Sequence, residues 1–333
     1  MTVLVTGAAG FIGQHLVALL VRRGETVHAL CRKSSPQEWQ GYPNVKVFRG
    51  DILNPESVEV AMKGCDHVFH LAGYARNWAK NPQVFFDVNV GGLKTVLESA
   101  RALHVHRVVF TSSALTLGPS HGVPLDGSEE RSAPTFTAYE RSKCKAEALA
   151  LQHFRGGLDI VIVNPTRVFG PGLLNEGNSA TRMIKWYLEG KWRITIGTGQ
   201  EIGNYAFAPD VALGHLLAME RGKAGERYIL GGENICYTDL FNLVAGISGK
   251  RHSMVKIPSA LALAYAAGEE SLGRWFRHQP LITPGWVRTF LCNWACSCSK
   301  AEREIGYRFT PLREALKETI SWLCGSQQQN IEG

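Results

Sequence analysis

Apolar and polar positions follow two regimes along this chain. In the first half, short apolar runs alternate with stretches whose apolar residues recur every three or four positions. Val3-Leu4-Val5 begins the first run, so residues 3–6 predict a buried strand. Residues 11–23 carry Leu16, Leu19 and Leu20 on one face and predict a helix that Gly24 ends. The same alternation predicts strands at 26–31, 45–49, 67–71, 108–112 and 160–164. It predicts helices at 55–63, 84–103 and 138–154. Short apolar strands separated by helices imply a parallel sheet covered on both faces. After Pro165 the pattern loosens and glycines punctuate it. Helices are predicted there at 181–189, 210–220, 238–248 and 312–323, with Thr238 as an N-cap, and a strand at 227–230. The predicted architecture is α/β: a doubly wound parallel sheet over residues 1–165 and a smaller mixed lobe over 166–324, with segments of the second returning to the sheet. The polar tail 325–333 is expected to fray.

Composition narrows the class. With 333 residues, 45% hydrophobic and 20% charged, the chain can bury a large core. The net charge of +7 is spread without a dense Lys/Arg run, which argues against nucleic acid as a partner. No apolar run approaches the ~18–20 residues of a membrane span. Residues 259–276 read as an ordinary packed helix bordering the cleft, with a membrane contact as the alternative. The chain begins directly on a strand, so no leader is expected. The eight cysteines are scattered, which fits reduced thiols and a cytoplasmic location. Cys292, Cys296 and Cys298 lack a companion cluster and read as free thiols rather than a metal site.

Candidate chemistry starts at VLVTGAAGFIG. Gly7 permits a tight turn, Gly10 lets backbone approach a pyrophosphate, and Gly13 lets the helix pack on the strand. The helix N-terminus then offers free N–H groups to an anion. Tyr139 and Lys143 form Y-x-x-x-K on a predicted helix, so they share a face. A Lys ammonium beside Tyr139 is expected to lower the phenol pKa and to make it a proton donor or acceptor for a carbonyl or alcohol. Ser113, in Thr111-Ser112-Ser113, ends a predicted strand where a doubly wound sheet places its ligand crevice. Each motif alone is compatible with a turn or a solvated helix face. Together they point to chemistry.

These pieces resemble an extended short-chain dehydrogenase/reductase of the NAD-dependent epimerase/dehydratase superfamily. TGAAGFIG, GDI, HLAG, NVGG, TSS, YERSK, NPTRVFGPG and PDVA occur in that family's order. The resemblance implies a Rossmann-type sheet, with Gly7, Gly10 and Gly13 on the pyrophosphate and Asp51 and Ile52 near the adenine. It implies that Leu71, Ala72 and Gly73 run along the cofactor by their backbone. Thr6, Phe11, Ile12, Asn89, Thr111, Ser112, Asn164, Pro165, Thr166 and Val168 are expected to border it as well. Tyr139 is implied as the acid/base, Lys143 as the holder of the nicotinamide ribose, and Ser113 as the group that orients the substrate oxygen. The helices at 84–103 and 138–154 resemble the pair that builds a homodimer in this family.

Cofactor and substrate can be argued further. An acid at the end of the second strand would accept from the NAD ribose and repel a 2′-phosphate. Here Arg32, Lys33, Ser34 and Ser35 stand instead, favouring NADP over NAD. The chain resembles dihydroflavonol reductase-like and hopanoid-associated sugar epimerase-like members. Nucleotide-sugar enzymes of the family carry an Arg and a His just ahead of D-V-A. Gly203 and Phe207 occupy those places here, which argues against a nucleotide diphosphate. Tyr74, Trp78 and Phe169 are candidate pocket aromatics. The expected activity is an NADP(H)-dependent carbonyl reductase or alcohol dehydrogenase acting on an apolar or aromatic small molecule. The alternatives are a sugar-type epimerase with tightly bound NAD and a non-catalytic NADP-sensing module.

Overall fold

The computed structural model describes residues 1–329 apart from Ser34 and Arg277. Ser34 of the predicted basic turn and residues 330–333 of the predicted tail thus lie outside the described residues. In chain order, β1 (Thr2–Thr6), α1 (Phe11–Arg22), β2 (Thr26–Cys31), β3 (Val45–Arg49), α2 (Pro55–Met62) and β4 (His67–His70) alternate as the pattern predicts. Next come α3 (Gln83–Phe86), α4 (Gly92–Ala102), β5 (Arg107–Thr111), α5 (Ala138–Arg155) and β6 (Ile160–Pro165). The second half holds β7 (Arg167–Phe169), α6 (Ser179–Leu188), β8 (Ile194–Ile196), β9 (Ile202–Phe207) and α7 (Ala208–Arg221). It continues with β10 (Arg227–Leu230), β11 (Glu233–Cys236), α8 (Tyr237–Ser248), β12 (Val255–Ile257), α9 (Ser259–Phe276), α10 (Pro284–Phe290), α11 (Ser299–Ile305) and α12 (Leu312–Gln329).

Seven strands form one parallel sheet in the order β10-β6-β5-β4-β1-β2-β3. The order reverses between β1 and β4, which opens a crevice at the strand C-termini. Residues alternate between the two faces. Val3 and Val5 enter one core, and Leu4 enters the other with Val68, Val108 and Ile160. Both faces are therefore dry, and each fully buried aliphatic contributes about 1.5–3 kcal/mol. β10 joins the sheet from the second half, and α7 packs on α1. The second lobe has its own core around Ile184, Leu240, Val244 and Leu316, beside a small sheet ordered β11-β9-β7.

Four local features differ from the sequence expectation. The single helix expected at 84–103 contains a π turn, Asp87–Gly91, between α3 and α4. The helix α8 is entered through Cys236, and Thr238 is not its cap. The Thr238 hydroxyl instead donates to Gly199 O at 3.0 Å. α12 runs on to Gln329, so the first part of the expected tail is helical. α9 is no ordinary packed helix. It buries Ala262, Ala266 and Gly273, while Trp275 and Phe276 are 84% and 75% exposed. Among the described residues no helix is long and apolar enough to cross a membrane.

Candidate active site

The glycine turn lies where β1 meets α1. Gly7 has φ +69°, and a Cβ there would sit 2.6 Å from Ala72 N. A Cβ at Gly13 would sit 2.3 Å from Gly7 O. The turn thus fits glycine for steric reasons on two sides. Gly10 is the N-cap of α1 and supplies no side chain, and the first turn holds no acid. The helix end is left open to an anion, as a pyrophosphate requires. At the end of β2, Arg32 and Lys33 are exposed and have no ion-pair partner among the described residues. The Asp51 carboxylate accepts from Leu53 N at 3.0 Å and closes its own turn. Ile52 is buried against Gly92.

β5 delivers Ser113 at its C-terminal end, and the first turn of α5 delivers Tyr139. The Ser113 hydroxyl faces the Tyr139 phenol. Burial pushes the Tyr139 phenol up to about 12, against the nearby Ser113 hydroxyl, which favours the phenolate. Lys143 lies one helical turn on and is buried. Its Nζ donates to Thr111 O at 2.8 Å and stands 5.1 Å from the Phe110 ring centroid. Burial pulls Lys143 down to about 8, with Glu147 opposing that shift. The expected lowering of the Tyr139 pKa by Lys143 is thus not found. The ammonium is engaged by a backbone carbonyl, and burial dominates the phenol.

The π turn earns its place here. It directs Asn89 into the site, where Asn89 Nδ2 donates to Ser142 Oγ at 2.8 Å and Oδ1 accepts from Tyr74 N at 2.7 Å. One side chain so ties the loop after β4 to α5. A Cβ at Gly73 would lie 3.1 Å from Asn89 Oδ1 and 3.5 Å from Lys143 Nζ, so the Leu71–Gly73 backbone borders the Lys143 ammonium.

Several predicted cofactor neighbours serve the framework with their side chains. Thr6 is fully buried and its hydroxyl bonds His70 Nδ1 at 2.8 Å. Thr111 Oγ1 bonds His215 Nε2 at 2.8 Å. Ser112 is buried, and its N–H extends the sheet to Val163 O at 2.8 Å. Asn164 Nδ2 donates to Ser113 O, Thr116 Oγ1 and Glu147 Oε1 at 3.0, 3.1 and 2.7 Å. Thr166 Oγ1 donates to Asn204 Oδ1 at 2.8 Å, and Val168 and Pro165 are buried. Glu147 is a site residue that the motif reading misses. Its signal was present as the next i+4 step after Tyr139 and Lys143.

The aromatic candidates divide. Phe169 is no pocket residue: it is 1% exposed and packs on Phe207 in the second-lobe core. Its strand pairs with β9, which turns it inward. Tyr74 lies edge-on to Phe85 at 4.9 Å, and Trp78 is half-buried in the following loop. Cys296 and Cys298 are buried free thiols pushed up to about 12. Gly203 has an unexpected neighbour. A Cβ there would lie 2.8 Å from Arg167 Nη1, so a guanidinium fills the space that the missing side chain leaves.

A glycine turn at a sheet crevice with an adjoining Ser/Tyr/Lys set defines a dinucleotide-dependent enzyme of the extended short-chain dehydrogenase/reductase class. Residues 3–231 match the NAD dependent epimerase/dehydratase family, and the chain belongs to it. A Synechocystis sp. protein, named provisionally as a dihydroflavonol 4-reductase, is 32% identical over 96% of this chain and 93% of its own length. Sterol demethylase protein B of Methylococcus capsulatus is 31% identical over 97% of this chain and 98% of its own. The crystal structure of a Thermotoga maritima UDP-glucose 4-epimerase with UDP-glucose superposes with a TM-score of 0.81 at 25% identity, covering 98% of this chain and all of that one.

Proposed function

We propose that the protein is an NADP(H)-dependent oxidoreductase that interconverts a ketone or aldehyde with an alcohol on an apolar or aromatic substrate. The observation that carries this is the Ser113 hydroxyl facing the Tyr139 phenol, with Lys143 buried one helical turn on. The glycine cradle and the open α1 N-terminus suit a pyrophosphate, and Arg32 and Lys33 suit a ribose 2′-phosphate. Bound there, the nicotinamide supplies or accepts the hydride.

The chain's own residues handle the oxygen and the proton. Ser113 and Tyr139 both present hydroxyls to one point, where a substrate carbonyl oxygen is held. A phenol near pKa 12 stays protonated at neutral pH and is set to donate as charge develops on that oxygen. Lys143, fixed on Thr111 O, supplies positive charge behind the phenol as it gives up its proton. Asn89 and Asn164 keep the flanking loop and the Ser113 turn in register. A reductase name among the relatives supports the same reading.

The test is NADPH oxidation against steroid, flavonoid, isoprenoid and aromatic aldehyde panels, with Tyr139→Phe beside the parent. Turnover is expected to fall by about 10²–10⁴-fold in the variant while NADPH still binds. Near-normal turnover by Tyr139→Phe overturns the assignment. Purified protein carrying NAD and epimerising UDP-glucose, without oxidising NADPH, would establish the epimerase instead.

A further inference from the structure

Arg167 opens β7, and its guanidinium sits in an aromatic cage. It lies 5.7 Å from the Tyr205 ring, 5.0 Å from Tyr237 and 5.7 Å from Phe290. Nη1 donates to Tyr205 OH at 3.4 Å and to Tyr237 OH. Among the described residues no carboxylate pairs with it, and only the two tyrosines oppose the cost of its burial. Among the described residues Nε and Nη2 have no hydrogen-bond partner, and neither is among the polar atoms sealed from solvent. The residue as a whole keeps partial exposure. A charge taken out of water normally recovers that loss through an opposite charge. Here one edge of a planar fork is left open.

The helix α10 links this cage to the catalytic residues. At one end, a Cβ on Gly285 would lie 2.5 Å from Phe136 O and 3.0 Å from Thr137 Cγ2, just ahead of Tyr139. Trp286 Nε1 donates to Asn77 O at 3.0 Å and holds the loop after β4 to the same helix. At the other end Phe290 faces Arg167, about 7.5 Å further along the axis. α10 thus joins the Arg167 cage to the chain that leads into Tyr139.

We infer that Arg167 is a specificity residue that binds a single carboxylate on the substrate, at the end remote from the reacting carbon. This rests on the oxidoreductase reading above. An open edge of a guanidinium matches a carboxylate in two parallel hydrogen bonds. A diphosphate carries more charge and calls for further cations, and no second cation enters this cage among the described residues. Tyr237 and Phe290 also border a shallow apolar recess with Trp192, Ile196 and Phe241. An apolar body with one carboxylate fits these surroundings. The vacancy at Gly203 makes room for the arrangement, because any side chain there would displace the guanidinium.

The experiment compares oxo acids of increasing chain length with their methyl esters, in the parent, Arg167→Met and Arg167→Lys, following NADPH oxidation. The parent is expected to prefer the free acid by at least about tenfold in kcat/KM, chiefly through KM, at one chain length. Arg167→Met removes that preference and leaves NADPH affinity and melting temperature near the parent's. Arg167→Lys keeps a charge without a fork and falls between, which also serves if the Met variant does not fold. Equal use of acid and ester by the parent, or a preference that survives in Arg167→Met, overturns the inference. So does calorimetric binding of UDP-glucose that Arg167→Met abolishes, which would assign a diphosphate. If neither acids nor esters are turned over, the oxidoreductase reading fails. The carboxylate anchor is then decided by calorimetry alone, and equal affinity for acid and ester sinks it.

Discussion

Glu147 Oε1 accepts a hydrogen bond from Asn164 Nδ2 at 2.7 Å, joining α5, the helix of Tyr139 and Lys143, to the end of β6. Thr116 Oγ1 donates to the same oxygen at 2.8 Å, and Arg227 Nη1 approaches Oε2 at 3.5 Å. Asn164 and Thr116 each also donate to Ser113 O, so Glu147 indirectly fixes the turn that carries Ser113. The same carboxylate stands one helical turn beyond Lys143 and raises its pKa against burial.

That double duty makes a pH prediction. The ammonium form of Lys143 is lost as pH rises through about 8, so kcat/KM for carbonyl reduction should fall above that pH. Glu147→Gln keeps the volume but removes the charge that favours the ammonium. The falling limb should move to lower pH, and stability should drop by about 1–3 kcal/mol as Arg227 loses its partner. A pH–rate profile of the two proteins checks this. A limb that stays in place would show that Glu147 acts only through packing.

Cofactor preference gives a second prediction. Arg32 is exposed at the end of β2, where its removal disturbs no core packing. A charge-assisted hydrogen bond to a 2′-phosphate contributes about 1.5–3 kcal/mol, so Arg32→Ala should weaken NADPH by about 10–150-fold. NADH lacks that phosphate and should be scarcely affected. Fluorescence titration with both cofactors decides the matter, and an equal loss for both rejects a phosphate role for Arg32.

What was legible in the sequence was local. The glycine turn, the two-residue alternation of the strands and the Tyr139–Lys143 spacing each depend on neighbours a few residues apart. So do α6, α7 and α8 of the second lobe, to within a few residues, whereas the short helices α10 and α11 escape the pattern. The misreadings concern packing at long range. Phe169 looked like a pocket residue because it follows the crevice in sequence, but pairing with β9 turns it into the core. The π turn at Asn89 follows from ties to Ser142 and Tyr74, which no periodicity announces. Gly203, read in sequence as speaking against a nucleotide diphosphate, gave no sign of what occupies the space beside it. Strand β7, which pairs beside it, brings Arg167 into that space. Lys143 was placed correctly on its helix face, but only the fold shows that Thr111 O engages its ammonium.

The third prediction concerns acid. His70 is buried behind the glycine turn, bonded through Nδ1 to Thr6, and burial, aided by the Lys143 charge, pulls it down to about 3. His215 is buried between Thr111 and Val211 O, and burial pulls it to about 4. Both are neutral in the folded protein near pH 5, whereas in the unfolded chain they take up protons below about 6.5. The unfolded state then binds more protons, so stability is full above about pH 6.5 and falls as pH drops toward the folded values. At pH 5 the loss should be about 2 kcal/mol for each histidine. Glu140 and Asp210 have raised pKa values and act in the opposite sense, which blunts the total. Comparing the parent with His70→Gln cancels those carboxylates. Urea unfolding at pH 7 and pH 5 should show a smaller pH dependence in the variant by about 2 kcal/mol, whatever its stability at pH 7. An identical pH dependence in the two proteins would mean that His70 accepts its proton in the folded state, and that the wall behind the glycine turn is wet rather than dry.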